Sequence, residues 1–426
     1  MTLRSSPEWE VLLAPFRPLF TAPGYRCFCA FVLAFAHLDG RLHVTQVLLT
    51  GLLDGRHFTC AYRFLREGAW SVAAVRKQLW TLCRDRCAQA GGRFFVAIDD
   101  TVSAKFGKRF AWLGWHHDPM NRQHPKKLTH GHCFVCLAGL AEQRPAHFVA
   151  LFLSCALYVQ EKVCAGKRAF ATKLILAAQL ATELGLGPGQ VLVVVADGAY
   201  ARKPFVQAIW VAGRHVVSRL RRDTVFYDLP PARKSKKRRR GAPRKYGRKH
   251  KAREWAATMQ RWQAVTLRLY GKEAHLRLKS RVVLQRTLKV KIRLVAIQWG
   301  DRPLVFLFST DTQLTAGEIV RAYCARFSIE TGFRDAKQSF RVATYQVRSE
   351  QSIHRIVHLC FWAQTLLRLR CWNEQPQQIY GDWRKPLGHL TLSQQKQLSA
   401  AQCRIIAGSA QTGLNEEETP SLPLAA

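Results

Sequence analysis

The sequence predicts a mixed α/β fold whose central sheet is buried on both faces and carries acidic residues at its strand ends. Three observations predict it. Residues 94–98 read Phe-Phe-Val-Ala-Ile and run into Asp99-Asp100, residues 191–196 read Val-Leu-Val-Val-Val-Ala and run into Asp197, and an amphipathic stretch at 167–184 lies between them. Continuous apolar runs of that length suit strands covered on both sides, and the intervening stretch has room for a helical crossover.

From the start of the chain, residues 1–90 carry a helical pattern, with Tyr62, Leu65, Trp70, Val72, Val75, Leu79 and Leu82 recurring every three or four positions among arginines. Gly91-Gly92 ends that pattern and the first acidic strand follows. Strands are expected at 132–141 and 147–154, then the helix at 167–184, closed by Gly185 and Gly187-Pro188-Gly189. The second acidic strand leads through a helix at 203–212 to a strand at 215–220. From Arg222 the character changes. Residues 233–253 hold thirteen Lys and Arg among twenty-one positions, with Tyr246 the one large hydrophobic, which reads as a loop or disordered basic arm. Strands resume at 262–269, 275–278, 290–298 and 303–309. Thr315 and Glu318 form a T-x-x-E box that opens one long helix reaching about Phe340, and another helix covers 353–372. The tail from Gly408 is polar and expected to fray.

Sixty-six Lys and Arg stand against 28 Asp and Glu, a formal charge of +38 over 426 residues. The partner that such an excess selects is a polyanion. Of DNA, RNA and an acidic membrane leaflet, the membrane is the weakest candidate and none is expected as a partner, because the longest apolar runs, 27–36 and 148–159, fall short of the ~20 residues that a spanning helix needs. No signal-peptide pattern opens the chain. The thirteen cysteines lack a disulfide-scaffold rhythm and read as reduced, mostly buried thiols, so the expected location is cytoplasmic, with the nucleoid.

Within the helix opened by Thr315, Tyr323, Arg326, Glu330, Arg334 and Lys337 stand at offsets 0, 3, 7, 11 and 14, which at about 100° per residue places them in a stripe of roughly 80°. One carboxylate is presented among three cations and a phenol, a face that suits a phosphate backbone beside a metal ligand. Two strand-end aspartates and a helical glutamate are what two-metal phosphoryl transfer needs, since hard divalent ions take carboxylate oxygens and keep positions open for water and phosphate.

Tyr323, Arg326, Glu330 and Lys337 spell Y-x2-R-x3-E-x6-K at every spacing, preceded by Ile98-Asp99-Asp100-Thr101 and Ala196-Asp197-Gly198-Ala199-Tyr200. On these segments the chain, over roughly residues 90–375, resembles the DDE transposases of bacterial insertion sequences. The resemblance implies an RNase H-like mixed sheet with flanking helices, interrupted by a β-rich insertion and preceded by a helical domain. The implied division is a helical DNA-binding region at 1–90, the first part of the catalytic core at 91–221, the insertion at 222–312, the second part at 313–375, and a carboxyl-terminal region at 376–426. It implies Asp100, Asp197 and Glu330 as catalytic ligands of Mg2+ or Mn2+, with Tyr323, Arg326 and Lys337 on the phosphates of the element's end. Trp299 would stack a flipped base. The implied activity is metal-dependent cleavage at transposon ends followed by strand transfer into target DNA, by a homodimer assembled on double-stranded DNA, with no small-molecule substrate. Because side chains alternate along a strand, one of Asp99 and Asp100 points at the metal. The resemblance favours Asp100, which precedes Thr101, and sets Asp99 behind it. Two other readings use the same residues: an RNase H-like nuclease that cuts without joining, and a relative that binds DNA but no longer cuts.

In the basic arm, Lys236, Lys237, Arg238, Arg239, Arg240, Arg244 and Lys245 are expected on DNA phosphates. Residues 240–247 resemble an AT-hook, but Ala242 stands where the central arginine would be, so backbone contact is favoured over minor-groove reading. Cys133 and Cys136 form a C-x2-C inside an apolar strand pattern and read as buried thiols. His116-His117-Asp118 falls in a loop near the acids without an assigned role.

Overall fold

A computed structural model describes residues 6–38, 43–230, 244–258, 260–374 and 391–409. The chain opens with helices α1 (Pro7–Leu13), α2 (Ala22–His37), α3 (Val44–Leu48), α4 (Thr59–Arg66) and α5 (Val72–Cys83). A strand pair β1 (Ala88–Gln89) and β2 (Arg93–Ala104) follows, then β3 (Gly114–His117), β4 (Leu128–Arg144) and β5 (His147–Tyr158). Next come α6 (Glu161–Cys164), α7 (Lys173–Thr182), β6 (Val191–Ala196), α8 (Lys203–Val211), β7 (His215–Leu220) and β8 (Val225–Tyr227). Beyond residue 243 lie β9 (Lys249–Lys251), α9 (Ala252–Ala257), β10 (Gln263–Leu269), β11 (Lys272–Gln285), β12 (Val290–Gln298) and β13 (Val305–Ser309). Helices α10 (Ala316–Ala325), α11 (Phe327–Gln338), α12 (Glu350–Arg370) and α13 (Leu392–Ser409) complete the described chain.

The strands join in a single mixed sheet in the order β3-β4-β2-β6-β7-β13-β12-β11-β8-β9, with β1 on β2, β5 on β4 and β10 on β11. β2, β6 and β7 run parallel, and the other pairings are antiparallel. Parallel strands need both faces covered, and the apolar runs that make β2 and β6 legible are buried accordingly. The strands of 222–312 are continuous with this sheet, because β13 pairs with β7 from Phe306 opposite Leu220 to Ser309 opposite Val217. Short β3, β8 and β9 leave no periodic signal. The helix expected from Thr315 to Phe340 is two helices: the capping box at Thr315 is present, but regular bonding breaks at Arg326. Arg326 keeps right-handed backbone angles, so the stripe is bent there rather than destroyed.

Side chains of β2 alternate between two helical layers. Phe94 meets Trp80 of α5 edge-on, with ring centroids 6.0 Å apart, while Phe95 shares an apolar pocket with Ala322 and Ala325 of α10. The outer edge of β5 would present unpaired backbone groups. Helix α12 covers it: Trp362 Nε1 donates to Leu153 O at 2.8 Å, Thr365 Oγ1 to Phe152 O at 2.9 Å, and His358 Nε2 accepts from Cys155 N at 3.1 Å.

The amino-terminal helices are pinned to α12 by one guanidinium. Buried Arg355 donates to the carbonyls of Phe64, Leu65, Gly68 and Trp70 at 3.1, 3.3, 2.7 and 3.0 Å, and stacks 4.4 Å over the Trp70 ring. These include carbonyls that the end of α4 leaves without helical partners. Arg355→Met is expected to lower stability by about 3 kcal/mol, because buried acceptors lose their donor, and a urea melt reads this as an earlier midpoint with unchanged slope.

A second pin holds the segment between β2 and β4. His132 accepts from Tyr345 OH at 2.7 Å on Nδ1 and, since a carbonyl can only accept, donates from Nε2 to Ala111 O at 2.7 Å. Burial pushes its pKa down to about 4 from the usual 6.5. The unfolded chain therefore takes up a proton at higher pH than the folded one, and this contribution to stability, complete above about 6.5, is lost as pH falls towards 4. His132→Gln is expected to flatten the fall in melting temperature over that window.

Candidate active site

The parallel pairing of β2 with β6 ends with Ile98 beside Ala196, so Asp197, just past the end of β6, lies next to Asp99, which is not at a strand end as the apolar run suggests but midway along β2, since β2 continues against β4 to Ala104. That end is where open α/β sheets place their chemistry. Asp197 starts a tight turn, Gly198–Tyr200, and its main-chain carbonyl accepts from Ser218 Oγ of β7 at 3.0 Å.

Arg326, at the bend between α10 and α11, ties the acids together. Its guanidinium reaches Asp99 Oδ2 at 3.0 Å through Nη1 and Glu330 Oε1 at 2.7 Å through Nη2. The same group lies 5.6 Å above the Tyr323 ring, and Tyr323 OH makes a long hydrogen bond, 3.4 Å, to Asp197 Oδ1. Asp99, Asp197, Tyr323, Arg326 and Glu330 thus form one connected constellation on the α10–α11 face. Burial raises the Asp99 pKa to about 6; Arg326 and the Asp100 N–H pull it down, and the charges of Asp100 and Glu330 push it up.

Asp100, the acid that the motif resemblance favours, faces the other way. Its carboxylate binds Lys173 Nζ of α7 at 2.6 Å, accepts from Tyr200 OH at 3.0 Å and lies 3.5 Å from Cys133 Sγ. The reason is the pleat: odd residues of β2 meet α10 and α11, even residues meet α5 and α7. Tyr200 was visible in the second motif, whereas Lys173, at the first turn of α7, carried no sequence signal for this role.

As the side chains lie, no group of three or more His, Cys, Asp or Glu among the described residues is close enough to hold an ion. Arg326 fills the space between Asp99 and Glu330 instead, a positive charge with carboxylate oxygens on either side. Those donors suit a hard divalent cation, and the only ion pair Glu330 makes among the described residues is with Arg326.

Of the remaining expected contacts, Arg334 and Lys337 are exposed on α11. Trp299, in the β12–β13 turn, lies at the same end of the sheet as the acids, with Arg302 stacked 4.8 Å over its ring. With β7 and β13 between β6 and β12, it is roughly 14 Å across the sheet from the Asp197 strand. Arg244 and Lys245 are exposed, and Lys236, Lys237, Arg238, Arg239 and Arg240 lie outside the described residues. Cys133 and Cys136 are buried thiols, the former pushed up to about 12 chiefly by burial.

A cavity of about 360 Å³, lined on α11 by Phe327, Ser328, Thr331 and Arg334 but not by Glu330, opens between the β4–β5 and β10–β11 hairpin tips and helices α10 and α11. Arg144, Arg268, Arg321, Arg334 and Arg368 line it, with Asp335 the one acid. Tyr270 and Phe327, about half exposed, meet edge to face at its mouth with centroids 6.1 Å apart. Buried Ser328 Oγ and Arg368 Nε on its wall have no hydrogen-bond partner among the described residues. Tyr270 and Gly271 both take positive φ at the hairpin tip, +52° and +76°, and a Cβ on Gly271 would lie 2.5 Å from His147 Nε2, so only glycine fits there.

The family described as DDE superfamily endonuclease matches residues 15–274. The chain belongs to this family. The match in this DDE endonuclease spans Asp99, Asp100 and Asp197 and ends before Glu330. Among solved structures, the chain is similar to a piggyBac transposase synaptic complex with hairpin DNA, at 10% identity and a TM-score of 0.40, covering 98% of this chain and 79% of that one. No curated protein matches it.

Proposed function

We propose that this DDE endonuclease is the transposase of a bacterial insertion sequence, of the group with the Y-x2-R-x3-E-x6-K motif, which cuts DNA at the element's ends and joins the freed 3'-hydroxyl to target DNA. The observation that carries the reading is the constellation itself: Asp99 on β2 and Asp197 just past the end of neighbouring β6, linked through Arg326 and Tyr323 to Glu330. In this reading Asp99, Asp197 and Glu330 hold Mg2+ or Mn2+, and Asp100 supports the strand from behind through Lys173 and Tyr200. A divalent ion bound there supplies the Lewis acidity that activates the attacking water or hydroxyl and steadies the leaving oxygen. Arg326 and Tyr323 orient the acids, and Arg334, Lys337 and the arginine-lined cavity hold the phosphates of a strand passing Glu330. Joining two ends to one target implies two copies of the chain on the DNA.

Purified chain incubated with the DNA flanking its gene and Mg2+ or Mn2+ is expected to give cuts at two fixed ends, and pre-cut ends are expected to join a target duplex. Cutting without joining would support a nuclease, and DNA binding without metal-dependent cutting a relative that has lost the activity. Arg268→Ala and Arg334→Ala, on the cavity wall, are each expected to weaken DNA binding and to reduce the slope of log affinity against log salt by about 1.

A further inference from the structure

The excursion at 105–127, between β2 and β4, presents apolar side chains to solvent in a way that burial alone does not explain. Phe106 is 92% exposed, more than any other large hydrophobic among the described residues, and Met120 is 81% exposed. Around them Lys108, Arg109, Arg122, Lys126 and Lys127 are exposed, while the one acid of the excursion, Asp118, is engaged with Thr129 and the Met120 N–H.

The exposed tip stands on a clamped base. Lys105 Nζ donates to Ala343 O at 2.6 Å and Tyr345 O at 2.8 Å and lies 3.3 Å from the Tyr345 ring centroid. On the far side, Phe110 packs edge-on against His132 and Tyr345, Ala111 N donates to Arg348 O at 2.9 Å, and Trp112 Nε1 donates to Glu350 at 2.6 Å. Four residues, 106–109, project between these anchors, with Gly107 at φ +104° making the turn. Phe106 is therefore presented by a braced loop. It stands six positions beyond Asp100, so it lies no more than roughly 20 Å from that acid.

Phe106, with half-exposed Trp115 in the same excursion, stands among exposed cations that make no ion pair among the described residues, and this positively charged tip selects a polyanion. It suits a duplex, whose phosphates take the cations and whose base steps admit an apolar wedge. We propose that the 105–127 excursion is a DNA-docking lobe in which Phe106 inserts into the base stack on the flank of the cut phosphate. This rests on the DNA-cutting reading above, and it adds a distortion of the duplex made by the protein before any bond breaks.

A wedge has to unstack a base step, so a duplex in which that step is already weakened binds more tightly. The test uses full-length protein in EDTA, with a 30-base-pair duplex of the DNA flanking its gene and a set of copies in which a single mismatched pair is moved along the sequence. Wild-type protein is expected to bind one mismatch position about tenfold more tightly than the paired duplex, and Phe106→Ala to reduce that preference below twofold. Phe106→Leu, which retains an apolar wedge, is expected to keep most of it. Lys108→Ala and Arg109→Ala are expected to weaken all duplexes alike and to lower the salt slope. The proposal is overturned if wild-type protein has no preferred mismatch position, if the preference survives in Phe106→Ala, or if that variant loses only self-association, which would assign the tip to a contact between copies. Because no cleavage is read, an inactive chain that keeps the preference would refute the transposase reading and leave the wedge standing.

Discussion

Asp197→Asn and Glu330→Gln are each expected to reduce metal-dependent DNA cleavage at least a thousandfold while leaving DNA affinity within about threefold of the wild type. A metal ligand contributes several kcal/mol of transition-state stabilisation, and each 1.36 kcal/mol is tenfold in rate, so losing about 4 kcal/mol gives that factor. Binding survives because it is supplied by cations spread over a chain with a formal charge of +38, not by three carboxylates. Single-turnover cleavage of a labelled duplex and a filter-binding titration at the same salt separate the two effects. Cleavage retained within tenfold in both variants would remove these acids from the chemistry.

The second large effect is a split between neighbours. Asp99→Asn is expected to match Asp197→Asn in lost cleavage, whereas Asp100→Asn costs ten- to a hundredfold, the range for a residue that orients ligands. Asp99 faces Arg326 and Glu330, and Asp100 faces Lys173 and Tyr200 on the other side of β2. Asp100→Asn leaves the Lys173 ammonium, about two-thirds buried, without its carboxylate, so its main effect is a lower melting temperature. Mn2+ gives an independent readout. Ligand binding to the folded chain raises its melting temperature, and that rise should vanish in Asp99→Asn and persist in Asp100→Asn. The reverse pattern would assign the ligand to Asp100.

The elements that carry the site were legible because each has a strong local cause. The apolar run before Asp197 matches β6 residue for residue, and Val290–Gln298 forms a strand with the expected bounds. The T-x-x-E box at Thr315 is made on both sides, hydroxyl to Glu318 N–H and Glu318 carboxylate to Thr315 N–H. Less legible were contacts between distant segments. Nothing around Arg355 in sequence says that it will satisfy carbonyls near residue 65, and the arginine-lined cavity gathers residues from 143 to 392. The bend at Arg326 also escaped the periodic pattern, since a single stripe drawn at constant pitch assumes an unbroken helix.

By itself, the sequence determined most of the longer strands and helices and that two acids follow apolar strand runs while a third rides a cationic helix, because apolar run length, capping chemistry and charge spacing are local properties. Only the tertiary structure shows which of two adjacent aspartates faces Arg326 and Glu330. Both faces of β2 are buried, so its hydrophobic pattern has no alternation from which to read the phase of the pleat. That phase is set by which helix packs on which side: α10 and α11 over Asp99, α7 over Asp100.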